Sequence, residues 1–189
     1  MNALLVSTGV VALAEIGDKT QLLALVLAAT FRRPLPISAG IFIATWANHA
    51  FAGAIGQWLT HVLSPEALRW ILGLSFIGMA VWTLIPDKLD DGAPRKRRFG
   101  AFGTTLIAFF LVEMGDKTQI ATVALAASYD ALMAVVAGTT LGMMIANVPA
   151  VMLGNFTAEK LPIRAIHIAA AILFALLGIA VLGGLDLGL

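Results

Sequence analysis

The sequence predicts an all-α membrane protein with six transmembrane helices, arranged as two inverted three-helix repeats. Three observations lead to this prediction: a strongly apolar composition, six apolar segments of membrane-helix length, and a charged motif that occurs once in each half. Of the 189 residues, 60% are hydrophobic and 12% are charged, and the mean hydropathy is +0.94. A soluble domain of this length exposes much more polar surface than this chain contains, so the composition indicates a membrane protein.

Six apolar segments can each cross a bilayer, whose hydrocarbon core of about 30 Å needs roughly 20 helical residues. They lie at about 3–29, 36–60, 67–85, 101–127, 131–156 and 163–184. The N-terminal stretch lacks a basic start and carries Glu15, so we expect it to be retained as the first membrane helix and not cleaved as a signal peptide.

The two halves of the chain align with each other when the sequence is shifted by 98 residues. EIGDKTQ at 15–21 then aligns with EMGDKTQ at 113–119, and Ala-Gly at 39–40 aligns with Ala-Gly at 137–138. We therefore divide the chain into a first repeat (1–86), a basic loop (87–98) and a second repeat (99–189). Because three helices is an odd number, the second repeat should enter the membrane from the opposite face, as in many secondary transporters.

Basic residues in short loops are retained on the cytoplasmic side of a membrane. Two lie between the first and second segments, five between the third and fourth, and two between the fifth and sixth, whereas the opposite side carries Arg69 alone. This bias of nine to one predicts that both termini face away from the cytoplasm. Glu15 and Glu113 are each about 12 residues, or roughly 18 Å, from the start of their helices. Entering from opposite faces, both should reach the middle of the bilayer.

The motif supplies the candidate site residues. Residues three apart share a helix face, so Glu15 and Asp18 should point the same way, as should Glu113 and Asp116. Gly17 and Gly115 remove bulk beside the carboxylates, which would let another helix approach or let the helix unwind and offer backbone carbonyls. The flanking polar side chains are further candidates for the site or the pathway: Gln21, Gln119, Thr20 and Thr118.

A carboxylate at the bilayer centre costs at least about 2.5–3.5 kcal/mol, so four isolated ones would cost on the order of 10 kcal/mol. Lys19 and Lys117 are candidates for charge compensation. If four carboxylates and two ammonium groups converge and ionise, their charge is −2, which one divalent cation or two protons would neutralise. The site is therefore a candidate exchanger. The competing interpretation is structural, with Glu and Lys at i and i+4 forming an internal pair that tethers the two halves.

Ligand chemistry narrows the ion. Carboxylate, amide and hydroxyl oxygens suit hard cations such as Mn²⁺, Ca²⁺ and Mg²⁺, and the chain has no cysteine. His49 lies near mid-depth as a packing residue or as part of the pathway, while His61 and His167 are expected at the interfaces. Asn48 and Asn147, which align with one residue of slip, are either ligands or hydrogen bonds between helices. Pro149 should release the carbonyl of Ile145 and kink its helix.

The paired Glu-x-Gly-Asp-Lys-Thr motifs, in two three-helix halves, resemble those of the Gdt/Mnx family of cation exporters, over essentially the whole chain. The resemblance implies transport of Mn²⁺, and of Ca²⁺ as the second candidate, in exchange for protons by alternating access, without a cofactor. It implies that Glu15, Asp18, Glu113 and Asp116 form the metal site. It also implies a multi-pass protein of the bacterial inner membrane, with export from the cytoplasm and periplasmic termini.

Two other classes of protein compete with this interpretation. A proton-coupled exporter of a small solute such as an amino acid is the alternative, although a symmetric acidic site with few aromatics favours a bare cation. An intramembrane enzyme is disfavoured, because paired carboxylates occur here without a nucleophile, a zinc motif or a phosphate-binding loop. The expected partners are a divalent metal ion, protons and the lipid bilayer, and not nucleic acid. The sequence does not predict the oligomeric state.

Overall fold

The computed structural model describes residues 2–85, 99–153 and 163–184, and these residues form α-helices and no strand. The all-α class is therefore confirmed for the described ranges. The helices are α1 (Ala3–Glu15), α2 (Lys19–Phe31), α3 (Pro34–Val62), α4 (Pro65–Thr83), α5 (Gly100–Glu113), α6 (Lys117–Ser128), α7 (Leu132–Leu153) and α8 (Ile163–Leu182).

The first and fourth predicted segments are each divided into two helices. The chain leaves the helix after Glu15 and re-enters it at Lys19, and it does the same between Glu113 and Lys117. The segments 3–29 and 101–127 are therefore not single helices, and the unwinding considered at Gly17 and Gly115 is confirmed. The other four segments coincide with α3, α4, α7 and α8 to within a few residues, apart from positions 154–156, which lie outside the described residues.

Local sequence explains where the intact helices begin. Pro34 and Pro65 occupy the first turns of α3 and α4, where a missing N–H costs no helical hydrogen bond. The side chain of Ser64 accepts a hydrogen bond from the amide of Ala67 at 3.3 Å and caps α4. Arg32 adopts a left-handed conformation (φ 51°) and ends α2, so the chain turns sharply into α3.

The helices of one half pack mainly against those of the other half. α1 lies against α7, α3 lies against α5 and α6, and α4 lies against α8, where Phe76 stacks on Phe174 with ring centroids 6.4 Å apart. By the sequence alignment, α5–α6 corresponds to α1–α2, and α7 corresponds to α3. The first segment of each half therefore packs against the second segment of the other half. The buried apolar residues form two clusters, and each cluster contains residues of both halves. The inverted orientation of the halves and the boundaries at 86–87 and 98–99 stay predictions.

Two aligned glycines allow this close packing between the halves. A Cβ on Gly40 would lie 2.9 Å from the carbonyl oxygen of Phe102 on α5. A Cβ on Gly138 would lie 2.5 Å from the carbonyl oxygen of Leu4 on α1. Both obstacles are backbone atoms, so a side chain at either position would force the helices apart. The Ala-Gly pairs noted in the sequence thus mark the equivalent α3–α5 and α7–α1 contacts.

Two helices in the described part of the chain are long and apolar enough to cross a membrane, by length and composition: Leu132–Met152 and Arg164–Leu182. α1, α2 and α5 are apolar but shorter, because the breaks at the motifs divide their segments. At 1.5 Å per residue, each of these three helices spans roughly 20 Å, about two thirds of a hydrocarbon core. The count of six spans therefore stays a prediction. The basic loop at 87–98 lies outside the described residues.

Candidate ion-binding site

Each motif forms a tight turn between two helices. Ile16 (φ −63°, ψ 120°) is followed by Gly17 at φ 85°, and the amide of Asp18 donates to the carbonyl of Glu15 at 3.0 Å. Met114 (φ −61°, ψ 119°) and Gly115 (φ 77°) repeat this geometry, with the amide of Asp116 3.0 Å from the carbonyl of Glu113. These are the dihedral angles and hydrogen bond of a type II turn, which requires a positive φ at its third residue and hence favours glycine there.

The glutamine of each motif holds the turn in place. The Oε1 of Gln21 accepts from the amide of Gly17 at 2.9 Å, and the Oε1 of Gln119 accepts from the amide of Gly115 at 2.6 Å. Asp18 and Asp116 are the N-cap residues of α2 and α6, but their side chains make no capping hydrogen bond. The glutamines therefore satisfy backbone donors near the helix start, while both aspartate carboxylates face other groups.

Three carboxylates from the two halves converge. Glu15, Asp18 and Asp116 are fully buried, and one oxygen from each lies within 4.8 Å of the others. Oxygens bound to opposite sides of one Ca²⁺ lie up to about 5 Å apart, so this group can surround a single ion with little movement. The carbonyl ends of α1 and α5 also lie at the two turns, and a helix C-terminus favours a cation. Asp18 lies beside Glu15 because of the turn between α1 and α2, and not because the two residues share a helix face as the sequence predicted.

Glu113 is fully buried but is not one of these three. The Oγ1 of Thr45 on α3 donates to its Oε1 at 3.0 Å, and the Nε2 of His49 lies 4.0 Å from its Oε2. The structure thus brings three of the four predicted carboxylates into one group and holds the fourth against α3.

The two lysines pair across the halves. The Nζ of Lys19 lies 3.1 Å from the Oδ1 of Asp116, and the Nζ of Lys117 lies 2.8 Å from the Oδ1 of Asp18. Each aspartate is therefore paired with the ammonium group of the other motif. The two pairs differ in environment, because the Lys117 side chain is completely buried whereas 26% of the Lys19 side chain is exposed.

The asparagines contact the motif of the opposite half. The Nδ2 of Asn147 on α7 is 3.4 Å from the Oε1 of Glu15 and also donates to the carbonyl of Met143 at 3.1 Å. The Oδ1 of Asn48 on α3 accepts from the Nε2 of Gln119. Each amide therefore contacts the motif glutamate of the opposite half, and Asn48 also contacts Gln119.

The Nε2 of Gln21 also bridges the halves, because it donates to the carbonyl of Ala146 on α7 at 2.8 Å. That carbonyl is next to the one expected to lose its helical donor to Pro149, and α7 runs through Pro149 as one helix. Thr20 and Thr118 are fully buried, and their hydroxyls have no hydrogen-bond partner among the described residues.

Two residues of the site's surroundings were missed in the sequence. Thr45 belongs to no motif, and its contact with Glu113 arises only from the packing of α3 against the second half. His167, expected at an interface, is buried on α8, and its Nε2 lies 3.0 Å from the carbonyl of Ile16 in the first turn. The turns themselves had a detectable signal. Gly-Asp-x-x-Gln combines a residue suited to positive φ, an N-cap residue and a glutamine three positions later, which is the pattern of a helix start.

Comparison of the chain with known proteins identifies its relatives. The family model described as "Divalent cation/proton antiporter GDT1" matches residues 3–91 and 101–185. A Vibrio cholerae protein described as "Putative manganese exporter" is 53% identical over 181 residues, which cover 95% of this chain and 90% of the relative. GDT1-like proteins of Synechocystis sp. and of Oryza sativa subsp. indica are each 28% identical, covering 89% and 92% of this chain and 91% and 71% of the relatives. No solved structure matched.

This protein is an apolar helical bundle with broken helices, buried carboxylates and lysine–aspartate ion pairs. Such a combination is typical of a membrane transporter of small ions. More specifically, the chain belongs to the GDT1 family of divalent cation/proton antiporters. It is therefore a transporter of divalent cations and not an enzyme, and the resemblance stated from the twin motifs is confirmed.

Proposed function

We propose that this protein exports Mn²⁺ from the bacterial cytoplasm in exchange for protons, with Ca²⁺ as a second substrate, and that Glu15, Asp18, Glu113 and Asp116 carry the exchange. The observation that carries this proposal is the convergence of three buried carboxylates from both halves at two helix breaks. The relative described as a manganese exporter supports Mn²⁺ as the substrate. The family assignment favours a bare cation over the small solute considered from the sequence.

The charge of the site supports exchange of one divalent ion for two protons. Lys117 and Lys19 each neutralise one aspartate, so the pairs Lys117–Asp18 and Lys19–Asp116 contribute no net charge. Glu15 and Glu113 then bring a charge of −2 when ionised. One Mn²⁺ restores neutrality, and so do two protons, whereas an empty ionised site at mid-membrane is costly. Exchange therefore keeps the site close to neutral throughout the cycle.

The helix breaks suit alternating access. Each turn is connected to the opposite half through a glutamine, an asparagine or a lysine, so a movement between the halves changes the surroundings of the carboxylates. In this cycle the carboxylates bind Mn²⁺ from the cytoplasm and release protons; after the halves move, protons from the other side displace the ion. The basic bias of the loops supports a cytoplasmic central loop and periplasmic termini in the inner membrane.

Purified protein in liposomes tests this function. With an imposed proton gradient, Mn²⁺ flux should rise with the size of the gradient. Glu15→Gln and Asp116→Asn should each reduce the flux at least about a hundredfold, because each removes a charged ligand that the transported ion requires. The matched control is Glu66→Gln, on the exposed first turn of α4, which should transport like wild type.

Two results would contradict the proposal. Transport that is indifferent to pH on both sides would remove proton coupling. Full Mn²⁺ transport by both Glu15→Gln and Asp116→Asn would remove the carboxylate group as the ion site.

A further inference from the structure

The surroundings of Glu113 differ from those of its counterpart Glu15. Each glutamate meets the amide of an asparagine, Asn147 for Glu15 and Asn48 for Glu113, but Glu113 also meets the hydroxyl of Thr45 and the imidazole of His49. Thr45 and His49 are four residues apart on α3 and therefore share one face of that helix. By the alignment of Asn48 with Asn147, the second half carries Met144 and Val148 at these positions. His49 thus has no histidine counterpart at the aligned position of the second half, and the repeated architecture does not require it.

Both ring nitrogens of His49 are buried without a hydrogen-bond partner among the described residues. Its side chain is fully buried. A buried imidazole without partners is uncommon, because burying an unsatisfied polar group costs free energy. The Oε2 of Glu113, which faces the Nε2 of His49, is also without a hydrogen-bond partner in the described part of the chain.

The distance between these two atoms fits a shared ion. The 4.0 Å from His49 Nε2 to Glu113 Oε2 is too long for a hydrogen bond. Two ligand atoms bound about 2.1 Å from one metal ion lie between about 3 and 4.2 Å apart, depending on the angle at the metal. The Thr45 hydroxyl meanwhile holds the other carboxylate oxygen and so orients the first toward His49.

We propose that His49 supplies a nitrogen ligand to the transported ion, together with Glu113 oriented by Thr45, and that this ligand makes the protein prefer Mn²⁺ over Ca²⁺ and Mg²⁺. This proposal deepens the proposed function and rests on it. Ca²⁺ and Mg²⁺ bind through oxygen, whereas first-row transition ions also accept imidazole nitrogen. One nitrogen among oxygen ligands therefore favours the transition ion without excluding the hard ones.

The nature of the ligand can be read directly from bound Mn²⁺. Mn²⁺ is paramagnetic, so electron spin echo envelope modulation of the purified protein loaded with Mn²⁺ alone detects a coordinated imidazole nitrogen. The chain has three histidines, so ¹⁵N-histidine labelling limits the source to His49, His61 and His167. We expect a nitrogen modulation that changes on labelling, persists in His61→Gln/His167→Gln, and disappears in His49→Gln. The double variant retains His49 alone, so the measurement stands even if His49→Gln does not fold.

Transport selectivity gives the second readout. In liposomes His49→Gln should lower the ratio of Mn²⁺ to Ca²⁺ transport by at least about tenfold while Ca²⁺ transport persists, since an altered metal environment commonly changes affinity 10–100-fold. His61→Gln, at the exposed end of α3, is the matched control and should keep the wild-type ratio. A purely structural role for His49 would instead lower both ions equally.

Bound Mn²⁺ without a histidine nitrogen signal, or an unchanged Mn²⁺ to Ca²⁺ ratio in His49→Gln, would overturn this inference and leave the proposed function standing. Wild-type protein that neither binds nor transports Mn²⁺ would overturn both.

Discussion

At the scale of single residues, the lysines explain how the motif tolerates burial. In each motif the lysine adjoins its own aspartate in sequence but pairs with the aspartate of the other half. The salt bridges of both lysines described above therefore run between the halves, whereas the alternative considered from the sequence was an internal Glu–Lys pair at i and i+4. Crossed pairs offset the desolvation of two aspartates and also join the halves. Charge compensation at each aspartate thus depends on assembly of the whole bundle.

The two pairs should differ in their contribution to stability. Lys117→Met leaves the Asp18 carboxylate buried without this ammonium group, and breaking a buried pair typically costs about 3–5 kcal/mol. Lys19→Met should lower the free energy of unfolding less, because part of its side chain reaches solvent. Chemical unfolding in detergent would measure both.

Lys117→Met/Asp18→Asn should recover part of the lost stability, because it also removes the buried charge that Lys117 neutralises. Equal destabilisation by Lys117→Met and Lys19→Met, with no recovery in the double variant, would contradict the assignment of a buried pair.

At the scale of elements, the breaks between α1 and α2 and between α5 and α6 are built into the sequence. The glycine supplies the positive φ, the aspartate begins the next helix, and the glutamine caps the turn from inside it. A continuous helix would have directed Glu15 and Asp18 along one face and left the backbone fully paired. The turns instead place the carbonyl ends of α1 and α5 beside the carboxylates, and a helix C-terminus favours a cation. The break also shortens the helices on either side of it, so α1, α2 and α5 are each shorter than a membrane span.

Gly115→Ala tests the turn. A Cβ at this position meets nothing within 4 Å, so its effect comes from the φ of 77° and not from a clash. An L-residue in the left-handed region costs about 1–2 kcal/mol, so the variant should be destabilised by that amount and should transport more slowly.

The control for this variant is Gly9→Ala in α1, where a Cβ also meets nothing within 4 Å and the backbone is helical. It should match wild type or unfold at a slightly higher temperature. A Gly115→Ala protein as stable as Gly9→Ala would show that the turn relaxes into a helix at no cost.

At the scale of the whole molecule, each of the two hydrophobic clusters is built from both halves, and the candidate site lies at the junction of the halves. α1 packs on α7, α3 packs on α5 and α6, and the crossed lysine pairs lie between them. A half chain would lack both the packing partners and the charge compensation of its motif. The exchange of partners between the halves also explains why the three clustered carboxylates come from both of them.

The membrane orientation can be tested on the whole chain, which has no cysteine of its own. With a membrane-impermeant maleimide on intact spheroplasts, Asn2→Cys should be labelled, because the loop bias places the N-terminus outside. Arg33→Cys, exposed between α2 and α3, should be labelled after the membrane is opened. The reverse pattern would contradict the predicted topology.

The sequence alone determined the helical membrane class, the position of most helices and the residues of the motif, because hydropathy and a repeated charge cluster are local properties. The turn also had a local signal in its glycine, aspartate and glutamine. Only the tertiary structure decided which carboxylates converge, which aspartate each lysine meets and that His49 and Thr45 face Glu113. The contacts of Glu113 with His49 and Thr45 join residues 64 and 68 positions apart, and the lysine pairs join residues 97 and 99 positions apart, so they depend on how helices pack. The spacing of residues along one helix does not specify which helix packs against it. For this physical reason the sequence predicts the helices and the motif but not the contacts between them.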